Sequence, residues 1–248
     1  MPSIELEGIN IYYTVIRHPR RRHVHLQVRP GLAILRIPQR FASRHVPEIL
    51  RQRAGWIRQR LALLEEAVAA TRRQYVTGER FPYLGKTYAL KVIYGEDTTN
   101  PFVKLRRGVF WAVTASPTAD GGGQCTVRDA ILRWYHGRAK EYLPERVEKL
   151  SENIGMRPAR VAVRNQTTRW GSCSSSGSVN LNWRLVLSPT HIVDYVVAHE
   201  LCHLKVANHS PQFWRLLAEV DTHYAHHRRW LRANSFRLGL WLHDPRPT

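Results

Sequence analysis

The chain is poor in several residue types that mark common classes of protein. Its 248 residues include three cysteines and two methionines, and 38 basic residues outnumber 19 acidic ones. Three cysteines are too few, and odd in number, for a disulfide scaffold, so they indicate a reducing compartment. No uninterrupted apolar run approaches the length of a membrane span, and residues 1–7 lack the features of a signal peptide. We therefore expect a cytoplasmic protein with no membrane partner.

The excess of positive charge is large and leans toward the first half of the chain. The formal net charge is +19, of which residues 1–110 contribute +12 and the rest +7. Almost all of it is arginine, whose planar group binds phosphates through paired hydrogen bonds. Such a surface attracts nucleic acids, nucleotides or acidic proteins. Charges that are merely solvated explain the composition equally well, so both interpretations stay open.

Hydrophobic periodicity predicts an α+β protein with two domains. Residues 1–118 form a mainly β N-terminal domain with a basic surface, one long helix over 47–70, and hairpins about Gly85-Lys86 and Arg107-Gly108. Three consecutive glycines within 119–124 predict a linker. Residues 125–248 form the second domain. It has a long helix over 126–154, a small antiparallel sheet that includes a strand over 178–187, and further helices.

The segment His199-Glu200-Leu201-Cys202-His203 carries the clearest chemistry in the chain. Residues four apart share one face of a helix, so His199 and His203 can direct ring nitrogens at one cation. Glu200 can then take a proton from a metal-bound water. Apolar residues at 192, 193, 196, 197, 201 and 204 follow a helical period and support this helix. Cys202 lies between the two histidines and is expected to pack rather than to bind metal.

A third ligand is needed for a catalytic zinc site, which uses three protein ligands and a water. His209 follows at the spacing of the extended HExxHxxGxxH motif, although Val206 replaces the glycine and no methionine turn follows. Asn208 in the left-handed region is one way to make the turn. Ser210 and Pro211 then predict a helix start that holds His209 from the other side. The alternative ligands are Glu219, Asp221, His223, His226 and His227.

Three blocks of sequence together resemble a known family. They are Arg169-Trp170-Gly171-Ser172-Cys173, residues 179–185, and residues 194–214 around the histidines. They resemble the YgjP-like metal-dependent hydrolases, bacterial proteins related to the SprT and WLM metallopeptidases. The resemblance implies a zincin-like, minigluzincin-type catalytic domain. It also implies one catalytic Zn²⁺ bound by His199, His203 and His209, with Glu200 as the base.

The substrate is less constrained than the metal site. A zinc metallopeptidase acting on a protein or peptide is our first hypothesis, with a strand of the hairpin over 170–187 pairing with extended substrate. Arg169, Asn182 and Tyr195 are candidate substrate-binding or oxyanion-stabilising residues. One alternative is a nucleotide (UTP-type) pyrophosphatase, which prefers Mg²⁺ and carboxylate ligands. Another is a nucleic-acid-associated protein with a vestigial metal site.

Overall fold

The computed structural model describes residues 2–6, 8–29, 31–71, 73–95, 100–115, 126–166 and 169–240. Within these residues the chain divides into two compact units, Met1–Arg72 and Arg73–Thr248. Both units mix helices and strands, which confirms the α+β class. No helix among the described residues combines the length and apolar content that a membrane crossing needs.

The first unit is one four-stranded sheet followed by two helices. Its core contains the fully buried side chains of Leu35, Ile37, Leu50 and Ile57. The strand order is β1-β2-β4-β3, in which β2 and β4 are parallel and the outer pairs are antiparallel. The elements are β1 (Ser3–Leu6), β2 (Ile9–His18), β3 (His25–Arg29), β4 (Leu32–Pro38), a 3₁₀ turn (Ser43–His45), α1 (Val46–Gln52) and α2 (Ala54–Thr71).

The second unit begins with a sheet of the same topology. Its order is β5-β6-β8-β7, again with the two inner strands parallel, and a long helix again follows the fourth strand. Each unit thus starts with four strands and then a helical segment. The elements are β5 (Arg80–Tyr83), β6 (Lys86–Tyr94), β7 (Phe102–Arg106), β8 (Val109–Thr114) and α3 (Val127–Ile154).

A three-stranded sheet and three helices complete the second unit. Its strand order is β10-β11-β9, so β10 is an edge strand that pairs only with β11 among the described residues. The β9–β11 pair is parallel, so this sheet is mixed, whereas the sequence indicated an antiparallel one. The elements are β9 (Arg160–Arg164), β10 (Gly171–Cys173), β11 (Ser178–Asn182), a 3₁₀ turn (Trp183–Leu187), α4 (Thr190–Cys202), α5 (Pro211–Val220) and α6 (Tyr224–Leu240).

Helix α3 is the element about which the second unit is organised. It begins with a capping box between Thr126 and Asp129 and is capped at its end by Gly155, whose φ of 64° favours glycine. Arg146 binds Asp194 through two hydrogen bonds of 2.8 and 2.7 Å, which joins α3 to the first turns of α4. The helix therefore fixes the position of the helix that carries the HExxH motif.

The second sheet shares its core with the catalytic part of the chain. Phe81 and Phe110 are buried in the same apolar cluster as Trp183 and Leu201. The amide of Leu84 donates to the carbonyl of Val186 at 2.9 Å. The compact units divide at Arg72 and Arg73. The linker expected over 119–124 lies outside the described residues, and the division into 1–118 and 125–248 stays an untested expectation from the sequence, which truncated chains can decide.

Three local predictions were wrong, each for a physical reason. The helix expected over 47–70 is broken at Arg53, which separates α1 from α2. The turn of the first hairpin in the second unit is Leu84-Gly85, with φ of 49° and 83°, rather than Gly85-Lys86. The strand expected over 178–187 ends at Asn182. Its side chain accepts a hydrogen bond from the amide of Arg184 and starts a buried 3₁₀ turn.

Candidate metal centre

Helix α4 places His199 and His203 side by side at its carboxyl end. The helix buries its apolar residues almost completely, which fixes its rotation against the core. It stops at Cys202, and the amides of Leu204 and Lys205 close the end by bonding to the carbonyls of Leu201 and Cys202. Cys202 is buried and burial raises its pKa to about 11, so it packs as expected.

The turn after the helix is made without a left-handed residue at Asn208. The non-glycine residues with positive φ among those described are Tyr75, Leu84 and Arg107, so our expectation for Asn208 was wrong. Instead the amide of Val206 bonds to the carbonyl of Cys202 at 3.0 Å. The carbonyl of Val206 lies 3.0 Å from Nδ1 of His203. That contact orients the ring so that Nε2 is left for another partner.

His209 is held from both sides, as the sequence predicted. Asn208 Oδ1 accepts a hydrogen bond from the amide of Ser210 at 3.2 Å, and Pro211 begins α5. Ser210 occupies the N-cap position, although its side chain makes no capping bond. Trp214 Nε1 donates to the carbonyl of His209 at 3.1 Å. The indole thus fixes the backbone of the residue that completes the cluster.

The three histidines converge on one point. One ligand nitrogen from each of His199, His203 and His209 lies within 4.8 Å of the other two. The Nε2 atoms of His199 and His209 are 3.0 Å apart. Phe213 packs against all three rings at centre distances of 4.5 to 4.9 Å. The apolar side chain of Phe213 thus contacts all three imidazole rings and limits their movement.

The electrostatics at His199 and His209 favour the neutral imidazole, which is the form that binds metal. Burial, and after it the neighbouring His203 and His209, lowers the pKa of His199 to about 3. Burial, and then His203, also lowers the pKa of His209. Nδ1 of His199 is buried without a hydrogen-bond partner. Three imidazole nitrogen donors fit a borderline-soft divalent cation and fit Mg²⁺ or Ca²⁺ poorly.

The rival ligands that the sequence left open lie outside this cluster. Among the described residues, the group that could hold a cation contains the three histidines alone. Asp221 and His227 pair with each other, with 2.8 Å between Oδ2 and Nδ1. Glu219 belongs to α5 and lines a shallow surface pocket with Lys205 and Arg215.

Glu200 lies next to the cluster and is almost completely buried. Burial raises its pKa to about 7, while the charge of Arg169 acts in the opposite direction. The side chain lies against the backbone of Gly171 in β10, where an added Cβ would come within 2.5 to 2.7 Å of three atoms of Glu200. This contact of Gly171 with Glu200 was not predicted from the sequence. The place of Gly171 in the Trp170-Gly171-Ser172 block was the one indication that it could belong to the site.

The three residues proposed for substrate or oxyanion binding have different surroundings in the structure. The ring of Tyr195 lies 6.0 Å from that of His199, and burial raises the pKa of its hydroxyl to about 12. Arg169 is exposed, and its charge acts on Glu200. Asn182 is buried, and its amide nitrogen donates to the carbonyls of Gln166 and Arg169 at 2.7 and 3.0 Å. Asn182 is thus engaged with the protein's own loop.

Three clustered histidines that could hold a metal ion, the first of them followed directly by a buried glutamate, are the kind of site that metal-dependent hydrolases use. The sequence matches the family described as YgjP-like, metallopeptidase domain, over residues 22–234. The chain belongs to this family, and it is a hydrolase of the metallopeptidase type. The match spans both compact units.

Two solved structures were also found, both of them metallopeptidase zymogens. Abylysin of Pyrococcus abyssi is 21% identical over 38% of this chain and 95% of its own, with a TM-score of 0.34. Jannalysin of Methanocaldococcus jannaschii is 16% identical over 38% of this chain and 96% of its own, with the same score. No curated protein matches the chain significantly. The family assignment depends on the sequence match alone.

Proposed function

We propose that this protein is a zinc-dependent peptidase that uses His199, His203 and His209 as metal ligands and Glu200 as its general base. One observation carries the proposal: ligand nitrogens of three imidazoles lie within 4.8 Å of one another, and the residue after His199 is a buried glutamate with a pKa of about 7. Imidazole nitrogens are ligands that Zn²⁺ prefers. Zinc in such a site lowers the pKa of a bound water and polarises a carbonyl oxygen.

Glu200 is suited to move a proton in both directions. A general base works best when its pKa lies close to the working pH, because it must both accept and release the proton. Glu200 has such a pKa because its burial disfavours the charged form. In peptide hydrolysis it would accept a proton from the attacking water and pass it to the amine that leaves. Tyr195 keeps its proton to about pH 12 and is a candidate donor to the oxyanion.

The edge strand β10 is the surface on which we place an extended substrate. It pairs with β11 along one side, and Glu200 lies against Gly171 at its start. A peptide that adds to the free side of an edge strand is bound by main-chain hydrogen bonds, whatever its sequence. The peptide backbone would then run past Glu200. This geometry supports a protein or peptide substrate.

Metal analysis and a peptide digest test the proposal together. We expect about one Zn²⁺ per wild-type chain, and cleavage of a mixed peptide digest that stops when the metal is chelated. His209→Ala should lose most of the zinc because one of three ligands is gone. His226→Ala is the matched control, since His226 is exposed and outside the cluster. Full zinc binding by His209→Ala, or no peptide cleavage by the zinc-loaded wild type, would overturn the proposal.

The two alternative functions receive less support. A nucleotide pyrophosphatase requires hard oxygen ligands for Mg²⁺, and the cation-binding group of the described residues contains no carboxylate. Pyrophosphate release from nucleoside triphosphates above a metal-free control would revive it. Binding of nucleic acid by the arginine-rich surface stays a prediction. Its test is salt-dependent DNA binding that survives removal of the metal.

A further inference from the structure

Arg228 stacks on the indole ring of Trp214, which in turn contacts two of the clustered histidines. Its Cζ lies 4.5 Å from the centre of the Trp214 ring. Tyr224 lies one turn earlier on the same face of α6 and stacks on the same ring at 5.7 Å. The Trp214 ring is itself 5.5 Å from His209 and 6.1 Å from His199. One indole therefore separates the guanidinium from two of the proposed ligands.

The guanidinium of Arg228 contacts the Trp214 ring but no acidic side chain among the described residues. Its side chain is exposed, and it makes no ion pair with any of the residues that the structure describes. Asp221 is the acidic residue just before α6, and it is paired with His227.

A second exposed arginine comes two residues before the glycine that Glu200 contacts. Arg169 precedes Gly171, whose backbone lies against the Glu200 side chain. It makes no ion pair with an acidic residue among those that the structure describes. One arginine therefore lies near the segment that contacts Glu200 and another near the indole that contacts His199 and His209. A peptide with a carboxylate group complements this arrangement better than a neutral or basic peptide.

We propose that Arg228, held on Trp214, binds an acidic side chain of the peptide substrate close to the bond that is cleaved. The inference rests on the peptidase function proposed above and adds a substrate class to it. Guanidinium groups bind carboxylates through two parallel hydrogen bonds, and stacking on an aromatic ring leaves their edges free for this. Because Trp214 already holds the group in place, less conformational entropy is lost on binding. The net charge of +19 steers acidic peptides toward the protein.

Paired peptides measure this preference directly. Each pair is identical except for Glu or Gln at one position within three residues of the cleaved bond, and all have an amidated C-terminus. We expect the zinc-loaded wild type to cleave the best Glu peptide with a kcat/KM about tenfold above its Gln partner. Arg228→Gln should remove the difference, mainly through KM. Arg228→Glu should reverse it in favour of a Lys peptide.

Controls separate this role from others. Arg229→Gln removes the same charge from the next, exposed position of α6 and should keep the preference. Free C-terminal acids are compared with amides, and a preference confined to free acids would assign the arginine to the chain terminus and overturn the proposal. Equal rates for Glu and Gln peptides would also overturn it. So would a uniform fall in kcat for all peptides in Arg228→Gln, which indicates a role at the reacting carbonyl.

Binding to an inactive variant keeps this test separate from the peptidase proposal. Zinc-loaded Glu200→Gln is titrated with fluorescently labelled forms of the same peptide pairs. The preference for Glu over Gln peptides is then measured without cleavage. A wild type that cleaves nothing would contradict the peptidase function. The carboxylate preference would still be judged by whether the Glu peptide binds about tenfold more tightly than its Gln partner. Equal binding would overturn the inference.

Discussion

Gly171 and Glu200 are in such close contact that a methyl group on the glycine would lie 2.5 Å from Oε1 of the glutamate. We therefore expect Gly171→Ala to push the carboxyl group away from the metal centre while the histidines stay in place. Activity should fall by about a hundredfold or more, because displacement of about 1 Å of a reacting group has this effect. Zinc content should remain near one per chain, and peptide cleavage and metal analysis on the same sample measure both.

A second glycine provides the control for that substitution. A Cβ at Gly137, within α3, meets nothing within 4 Å, so Gly137→Ala should leave activity unchanged. It should also stabilise the helix slightly, because alanine has the higher helix propensity. Wild-type activity in Gly171→Ala would show that Glu200 is not confined by the strand.

The raised pKa of Glu200 predicts how the stability of the metal-free protein depends on pH. The pKa is about 7 in the folded chain and 4.5 in the reference state. The unfolded chain therefore loses its proton first, and stability falls as pH rises from about 4.5 to 7. The cost at pH 8 is about 3 kcal/mol. Metal-free Glu200→Gln should thus be more stable than wild type at pH 8 and equally stable near pH 4.

Urea unfolding of both metal-free proteins across this pH range tests the prediction. The stability difference should grow with pH and then level off above about pH 8. A constant difference at every pH would mean that the carboxyl group titrates normally in the folded chain.

Asn182 is expected to contribute to stability rather than to substrate binding. Asn182→Ala leaves the carbonyls of Gln166 and Arg169 and the amide of Arg184 without their partner. The loss of such buried hydrogen bonds costs about 1–3 kcal/mol, which thermal unfolding would detect. The residual activity of the folded fraction should have a KM close to that of wild type. A large rise in KM with unchanged stability would instead restore the substrate-binding role that the sequence indicated.

The sequence predicted the chemistry of the centre better than its surroundings. Ligand spacing along one helix is a local property, so His199, Glu200 and His203 followed from the printed order of residues. His209 was proposed from its spacing after His203, and the helix start at Ser210 and Pro211 supported it. The contacts of Gly171 with Glu200, and of Arg228 with Trp214, join residues far apart in the chain. Periodicity contains no information about such contacts.

The domain boundary shows the same difference between local and long-range information. Three consecutive glycines indicated a linker at 119–124, yet the sheet before it packs on the helix after it. Tyr135 in α3 donates to the carbonyl of Pro82 at 2.5 Å, and a Cβ on Gly85 would lie 3.1 Å from Pro189. A glycine-rich composition predicts a loop between two elements. It does not reveal whether the two flanking segments share one core.

Truncated chains distinguish the two boundaries. We expect residues 73–248 to unfold cooperatively and to bind zinc, because they form one compact unit with its own core. A chain of residues 125–248 should aggregate or lack a cooperative transition, since it exposes the apolar face that packs against Phe81 and Phe110. Circular dichroism during heating, with zinc analysis, measures both properties. A stably folded 125–248 fragment would support the boundary that the sequence indicated.

The rate of peptide cleavage by Glu200→Gln at full zinc occupancy is the most direct test of the peptidase proposal. Glutamine has the shape of glutamate and cannot accept the proton, so the three histidines should still bind about one zinc per chain. We predict that cleavage falls by at least about a hundredfold. Wild-type cleavage by the fully zinc-loaded variant would contradict the assignment of Glu200 as the base.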